Sequence, residues 1–198
     1  MDADFAVELG PPSEEAVLEL PWDSGTPEGP RFLDLKRQPE LLLRVEEANR
    51  YPELGQFLKS INSPASRLAS AKCDVWSTDS LDEAEEIFGT GWKLGSYVDL
   101  VFSEEYAEQR FSFPAHETLA RSLVALLKKA PEMPARCEAL VRRCYYHDAP
   151  AAEEPNSQPG FYISVYVLGY GKDAVAARRQ WHIALQLAAN AALQLQRN

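Results

Sequence analysis

The sequence predicts an α+β fold: a mainly antiparallel sheet of four or more strands, with helices packed on one face and an extended N-terminal arm. Short segments in which apolar and polar residues alternate recur along the chain, and this two-residue period is typical of strands with one covered face. Two longer segments repeat their apolar residues every three or four positions, as helices packed on one side do. Strands that follow one another are predicted to pair antiparallel, which gives the α+β class.

The length and composition are those of one ordinary globular domain. The chain has 198 residues, of which 45% are hydrophobic and 25% charged, so it can bury a sizeable core without the help of disulfides or structural metal ions. We therefore expect a single domain over residues 1–198. Within it, residues 1–35 form the arm, residues 36–62 a helical segment, and residues 68–198 the body of sheet and helices.

The charge balance excludes several classes of partner. Thirty acidic and twenty basic residues give a formal charge of −10, which repels nucleic acid and anionic membranes. No apolar run reaches the roughly 18 to 20 residues that cross a bilayer. The chain has three cysteines, Cys73, Cys137 and Cys144, an odd number that does not suggest a disulfide framework. The N-terminus lacks the pattern of a secretory leader. The sequence thus predicts a soluble, cytoplasmic protein with no nucleic-acid or membrane partner.

The arm is predicted to contain two short strands separated by loops rich in proline and glycine. The alternating pattern of the two strands is carried by Phe5, Val7, Leu9, Leu18, Leu20 and Trp22. A disordered tail is the alternative, but six apolar side chains favour an arm that lies on the body. After it, Leu42, Val45 and Ala48 fall on one helical stripe, and Pro52 begins a second short helix over residues 52–61.

The body begins with a predicted strand at residues 71–76. Ala71, Cys73 and Val75 are expected on one face, and Lys72, Asp74 and Trp76 on the other. The Ser80-x-x-Glu83 spacing then matches a capping box, which predicts the start of a helix that ends at Gly89.

Four elements are predicted after that helix. Residues 91–102 and 161–171 have the alternation of strands, and a further strand is expected within residues 139–148. A helix with Pro114 in its first turn carries a leucine stripe, and Asp173 is expected to cap a long final helix. Residues 148–159 are acidic and rich in proline, which indicates a loop.

No residue is assigned a catalytic role, and neither a metal nor a cofactor is expected. Cys73 shares the face of apolar neighbours, which favours an inert, packed thiol. His116 lies in a predicted first helical turn, where a general base is conceivable and a capping or surface histidine is the simpler interpretation. The chain shows no nucleophile elbow, phosphate-binding loop or dinucleotide fingerprint.

The most informative feature is a polar and aromatic sheet face. The residues predicted to bind a ligand or partner are Asp74, Trp76, Tyr97, Asp99, Arg142, Tyr162 and Tyr166, with Lys72 and Ser164 beside them. Two mid-strand carboxylates with several aromatics exceed what solubility requires. Two simpler explanations remain open: a solvated face with cross-strand charge pairs, or a face covered by the arm.

Three functions are compatible with this face. The first is a non-enzymatic binding or protein-interaction module, whose partner is basic because an acidic surface attracts opposite charge. The alternative is a hydrolase or isomerase in which Asp74 and Asp99 divide acid and base roles, since neighbouring carboxylates can have separated pKa values. The third is a structural subunit that pairs with its own copy.

Overall fold

The computed structural model describes residues 1–8, 17–26, 28–81, 90–147 and 157–195. The strands are β1 (Asp2–Glu8), β2 (Leu18–Leu20), β3 (Leu68–Thr78), β4 (Trp92–Phe102), β5 (Ala135–His147) and β6 (Ser157–Gly171). The helices are α1 (Glu46–Arg50), α2 (Pro52–Ile61), α3 (Phe113–Leu127) and α4 (Ala174–Gln194). Two 3-10 helices, Pro39–Arg44 and Glu104–Phe111, precede α1 and α3.

The strands form a mixed six-stranded sheet in the order β1-β5-β6-β4-β3, with β2 paired to β5 as well, so the α+β prediction is confirmed. The pairs β3–β4, β4–β6 and β5–β6 are antiparallel. Both N-terminal strands instead run parallel to β5, with β1 beside Arg136–Arg142 and β2 beside Cys144–Tyr146. The sheet is thus mainly antiparallel, as predicted, but it is mixed, because the two strands of the N-terminal arm join its edge in parallel.

The two long helices begin where capping residues satisfy their first amides. The Ser112 hydroxyl accepts a hydrogen bond from the Ala115 N–H (3.3 Å) at the start of α3. The Asp173 carboxylate accepts one from the Ala176 N–H (2.8 Å) at the start of α4, as the sequence predicts. These caps set the helices so that α3 packs on β5 and β1 while α4 packs on β6 and β4.

The helices cover one face of the sheet and enclose the main core. Trp181 of α4 is fully buried there, and its indole N–H donates to the Ser96 hydroxyl of β4 (2.9 Å). Gly169 of β6 lies directly under α4, where an added Cβ would come within 2.1 Å of the Trp181 nitrogen. Only glycine allows the helix to approach the sheet this closely at that position.

The segment after β2 packs on the opposite face and closes a smaller apolar cluster. The cluster consists of Leu18 and Leu20 from β2, Trp22 and Phe32 from this segment, and Ala69, Ala71, Val101, Cys144, Tyr146 and Tyr162 from the rest of the sheet. The Trp22 indole N–H donates to the Ala71 carbonyl (2.7 Å), which fixes the segment to β3. Further along, the Lys36 ammonium donates to the Ser63 and Leu68 carbonyls at 2.9 and 3.2 Å.

A bulge in β3 corrects the predicted alternation of residues 71–76. Ser70 pairs with Leu100 and Lys72 pairs with Asp99, so Ala71 is the extra residue. A bulge places two residues of one strand opposite one residue of its partner. Ala71 consequently packs with Trp22 on the second face, whereas Cys73 contacts the main core as predicted.

Two predictions concern parts of the chain outside the described residues. The helix predicted from the Ser80 capping box falls on residues 82–89, and most of the acidic loop falls on residues 148–156. Among the helices that the structure describes, none is both long and apolar enough to span a membrane.

Candidate functional site

A cleft of about 1050 Å³ lies on the second face of the sheet, beside the segment that contains Trp22. Its floor is formed by Lys72, Asp74, Tyr97, Asp99, Arg142, Tyr162, Ser164 and Tyr166. Its walls include Leu18, Glu19, Pro21, Trp22, Asp23, Pro30 and, from α1, Glu47. The strands supply the polar groups, and the N-terminal segment gives the face its depth.

Strand register brings the floor residues together. Asp99 of β4 pairs with Lys72 on one side and with Ser164 on the other. One step along the strands, Tyr97 pairs with Asp74 and with Tyr166. Because directly opposed residues on neighbouring strands have Cβ atoms about 5 Å apart, these side chains form two adjacent rows on one face.

Asp99 is the most strongly perturbed acid of this site. Its side chain is 5% exposed, and the Ser164 hydroxyl donates to its Oδ1 (2.6 Å). Burial raises the pKa of the Asp99 carboxyl from 3.8 to about 6, although the Ser164 hydrogen bond and the nearby Arg142 and Lys72 oppose this shift. A cation that enters the cleft would favour the charged form of this carboxylate.

Three aromatic rings form a continuous platform next to Asp99. The centroid of Trp76 lies 6.5 Å from that of Tyr97 and 6.4 Å from that of Tyr166, and the two tyrosines are 5.7 Å apart. The indole lies across Gly95, where an added Cβ would approach it to 2.7 Å. All three side chains are half-buried, so the platform keeps an accessible side.

The two cations of the cleft floor have partners within the chain. The Lys72 ammonium lies 5.6 Å from the centre of the Trp22 ring, a cation–π contact. The Arg142 Nε lies 2.7 Å from the Glu8 carboxylate of the adjacent β1. Arg142 also forms a hydrogen bond with the Tyr162 hydroxyl, which lowers the pKa of that hydroxyl. Burial is the larger effect and raises the pKa of Tyr162 to about 12.

The cleft is therefore acidic as well as aromatic. Five carboxylates line it, against two cations: Glu19, Asp23, Glu47, Asp74 and Asp99 face Lys72 and Arg142. The surplus of negative charge favours a ligand with a positive group, and the aromatic platform attracts the same kind of ligand through cation–π contacts. The geometry suits binding of an ammonium or guanidinium group near Asp74 and Asp99.

The structure brings six of the seven predicted site residues together in the cleft lining, and Trp76 adjoins them through its ring contacts. Tyr162 differs from the expectation of an accessible ring, because it is 6% exposed and packs in the cluster beneath the N-terminal segment. Asp74 is exposed, and its Oδ1 accepts a hydrogen bond from the Val75 N–H (2.7 Å).

Sequence reasoning did not assign site roles to Trp22, Glu8 and Glu47. Trp22 and Glu47 contribute to the cleft from outside the sheet face, and Glu8 pairs with Arg142 from the neighbouring strand. The alternation around Trp22 does indicate that the residue is half-buried. Glu8 can be placed beside Arg142 only once β1 is known to pair with β5. This pairing joins distant segments in parallel, so no hairpin turn in the sequence indicates it.

The remaining candidates for chemistry are buried or half-buried, and burial perturbs their pKa values. Burial raises the pKa of the Cys73 thiol to about 12, and it does the same for Cys137 and Cys144. His116 is 1% exposed among Phe102 and Phe161, not at the surface as its simpler interpretation has it. Within the described ranges, no group of three or more histidine, cysteine or acidic residues could hold a metal ion.

Comparison of the chain with protein-family models, with curated proteins and with solved structures gives no match.

Proposed function

We propose that this protein is a non-enzymatic binding module that receives a basic group of a protein partner in the cleft. The observation that carries the proposal is the juxtaposition of Asp74 and the buried Asp99 with the platform of Trp76, Tyr97 and Tyr166. An arginine side chain matches both parts, because its guanidinium bonds carboxylates and its flat surface stacks on aromatic rings. The net charge of −10 would steer such a partner towards the protein.

Binding of a basic probe tests the proposal directly. Fluorescence anisotropy would follow a labelled hexa-arginine peptide, with a hexaglutamate peptide for comparison, at near-physiological salt. The variant Asp74→Asn/Asp99→Asn removes two charges and keeps the shape of both side chains. It should weaken hexa-arginine binding about tenfold or more, because it removes both carboxylates beside the platform.

A matched variant separates the cleft from the general acidity of the protein. Glu40→Gln/Glu132→Gln also removes two negative charges, from exposed positions outside the cleft lining. It should change the affinity less than about twofold, since exposed charges are screened by salt beyond a distance of about 10 Å. Equal losses in the two variants would reduce binding to non-specific attraction and would contradict the proposal.

The enzyme alternative is favoured by one observation. Asp99 is buried with a raised pKa, whereas Asp74 is exposed, and such an asymmetry can divide acid and base roles between two carboxyls. Assays against nitrophenyl esters, glycosides and phosphates test this second candidate. Turnover that Asp99→Asn and Asp74→Asn each abolish would support catalysis, and its absence across the set would leave the binding proposal as the only one of the two.

A further inference from the structure

One row of side chains crosses five strands of the sheet on the face that bears the cleft. Consecutive pairings place Asp4 opposite Glu138, Glu138 opposite Tyr166, Tyr166 opposite Tyr97, and Tyr97 opposite Asp74. Each of the strands β1, β5, β6, β4 and β3 contributes one member. We call these five residues the transverse row; it has acidic residues at both ends and two aromatic rings in the middle.

The transverse row is accessible along its length. Asp4 and Asp74 are exposed, and Glu138, Tyr166 and Tyr97 are half-buried. Asp4 uses its Oδ1 to accept a hydrogen bond from the Phe5 N–H (2.7 Å), as Asp74 does from Val75. In both residues this bond engages Oδ1 and leaves Oδ2 for a partner.

The acidic end formed by Asp4 and Glu138 is separate from the cleft, because neither residue lines it. Arg136 lies 3.8 Å from the Glu138 carboxylate, a distance too long for a strong hydrogen bond. A basic group of a partner could thus form a shorter contact with Glu138 than the chain provides itself.

The spacing of the transverse row fits a helix better than an extended chain. Neighbouring strands lie about 4.8 Å apart, so the five members span about 19 Å. A helix advances about 5.4 Å per turn and can present one side chain to each strand when it lies across the sheet. Side chains on one side of an extended chain recur about every 6.7 Å, which loses register after two or three strands.

We propose that the transverse row docks an amphipathic helix of a basic partner, which lies across the strands with basic residues at both ends and apolar residues between them. The proposal rests on the proposed function, since it extends the same acidic and aromatic surface to a second anchor at Asp4 and Glu138. A contact length of about 19 Å corresponds to about 13 residues of helix.

Two synthetic peptides of equal composition test this geometry. Both are alanine-based helices of about 18 residues with three arginines and two leucines. In the first, the arginines and leucines follow one face, with two arginines near one end, leucines in the middle and one arginine near the other end. In the second, the same residues are dispersed around the helix. The first should bind about tenfold more tightly by fluorescence anisotropy, because only it presents all five contacts together.

Variants at the remote end distinguish this proposal from the proposed function. Asp4→Asn/Glu138→Gln keeps the side-chain shapes, and it should weaken the one-faced peptide about fivefold while leaving hexa-arginine binding to the cleft within about twofold. Glu40→Gln/Glu132→Gln again serves as the charge-matched control.

The outcomes separate cleanly. Equal binding of the two peptides, or no effect of Asp4→Asn/Glu138→Gln, would overturn the helix proposal while hexa-arginine binding to the cleft stands. If the wild-type protein does not bind hexa-arginine either, the proposed function falls together with its extension. Amide shifts in a ¹⁵N NMR titration should include all five members of the row, and shifts confined to β3 and β4 would likewise overturn the proposal.

Discussion

The two faces of the sheet are closed in different ways. Three helices, α2, α3 and α4, seal one face over a large apolar core in which Val98, Val165 and Trp181 are almost fully buried. Among the residues that the structure describes, β2 and the segment that carries Trp22 cover one end of the other face. The same strands thus have a continuous core on one side and a cleft with ionisable groups on the other.

The difference shows that a partly covered sheet face can hold a side chain with a shifted pKa that a ligand can still reach. A fully covered or fully exposed face would not combine these two properties. On the helical face, polar groups such as the Ser96 hydroxyl are satisfied inside the core. On the cleft face, Asp99 is buried enough for its pKa to rise, yet it still lines a space open to a ligand. A short segment that covers one end of a sheet face is sufficient to produce this combination.

The largest expected effect lies on the helical face. Trp181→Ala should lower the free energy of unfolding by about 3 to 5 kcal/mol, because it leaves a large cavity under α4 and removes the donor to Ser96. Urea denaturation followed by circular dichroism measures this loss. A loss below about 1 kcal/mol would mean that this face is not the main source of stability.

The next effect has the opposite sign and lies on the cleft face. A folded-state pKa of about 6 against 3.8 means that Asp99 contributes stability below about pH 4 and loses it as the pH rises through 6. Asp99→Asn should therefore raise the free energy of unfolding by about 2 to 3 kcal/mol at pH 8 and give no gain at pH 3.5. Asp74→Asn, at an exposed position, is the control and should give no such gain.

A smaller and more local effect is expected at the cover of the cleft. Trp22→Ala removes the bond to the Ala71 carbonyl and the ring beneath Lys72, and it should cost about 1 to 2 kcal/mol. Hydrogen exchange should accelerate in residues 17–35 and stay unchanged at Val98 and Val165. Trp22→Phe retains a ring and should show less acceleration, whereas uniform acceleration across the sheet would contradict independent closure of the two faces.

The smallest expected effect concerns the pH dependence of stability, which should have opposite signs for His116 on the helical face and Asp99 on the cleft face. Burial between Phe102 and Phe161 lowers the pKa of His116, so its contribution to stability is present above about pH 6.5 and is lost as the pH falls. The stability difference between wild type and His116→Gln should shrink from pH 8 to pH 5 in thermal unfolding. A difference that grows towards pH 5 would contradict this sign.

Local patterns in the sequence predict most elements but not how they combine. The strands of the body and the final helix follow from side-chain periodicity and from the cap at Asp173. The parallel pairing of β1 and β2 with β5 joins segments more than 120 residues apart, and no turn chemistry specifies it. Such a pairing is determined by the packing of the whole sheet.

The candidate site follows the same division. Asp74, Asp99 and Tyr166 could be assigned to one face from alternation alone, whereas Ala71 could not. A single bulge reverses the parity of a strand, and a hexapeptide contains too little information to reveal it. The ion pair between Arg142 and Glu8 depends in turn on the non-local strand order.

The hydrogen bonds that Asp4 and Asp74 make to the next amide have a consequence for assembly. Both residues lie on the outermost strands of the described sheet, where an unpaired N–H group can recruit a foreign strand and start a fibril. By occupying that donor and placing a negative charge beside it, each aspartate discourages edge-to-edge pairing with a strand of another molecule. Concentrated protein should accordingly stay free of cross-β aggregates, although the same two aspartates lie at the ends of the surface that is proposed to receive a partner.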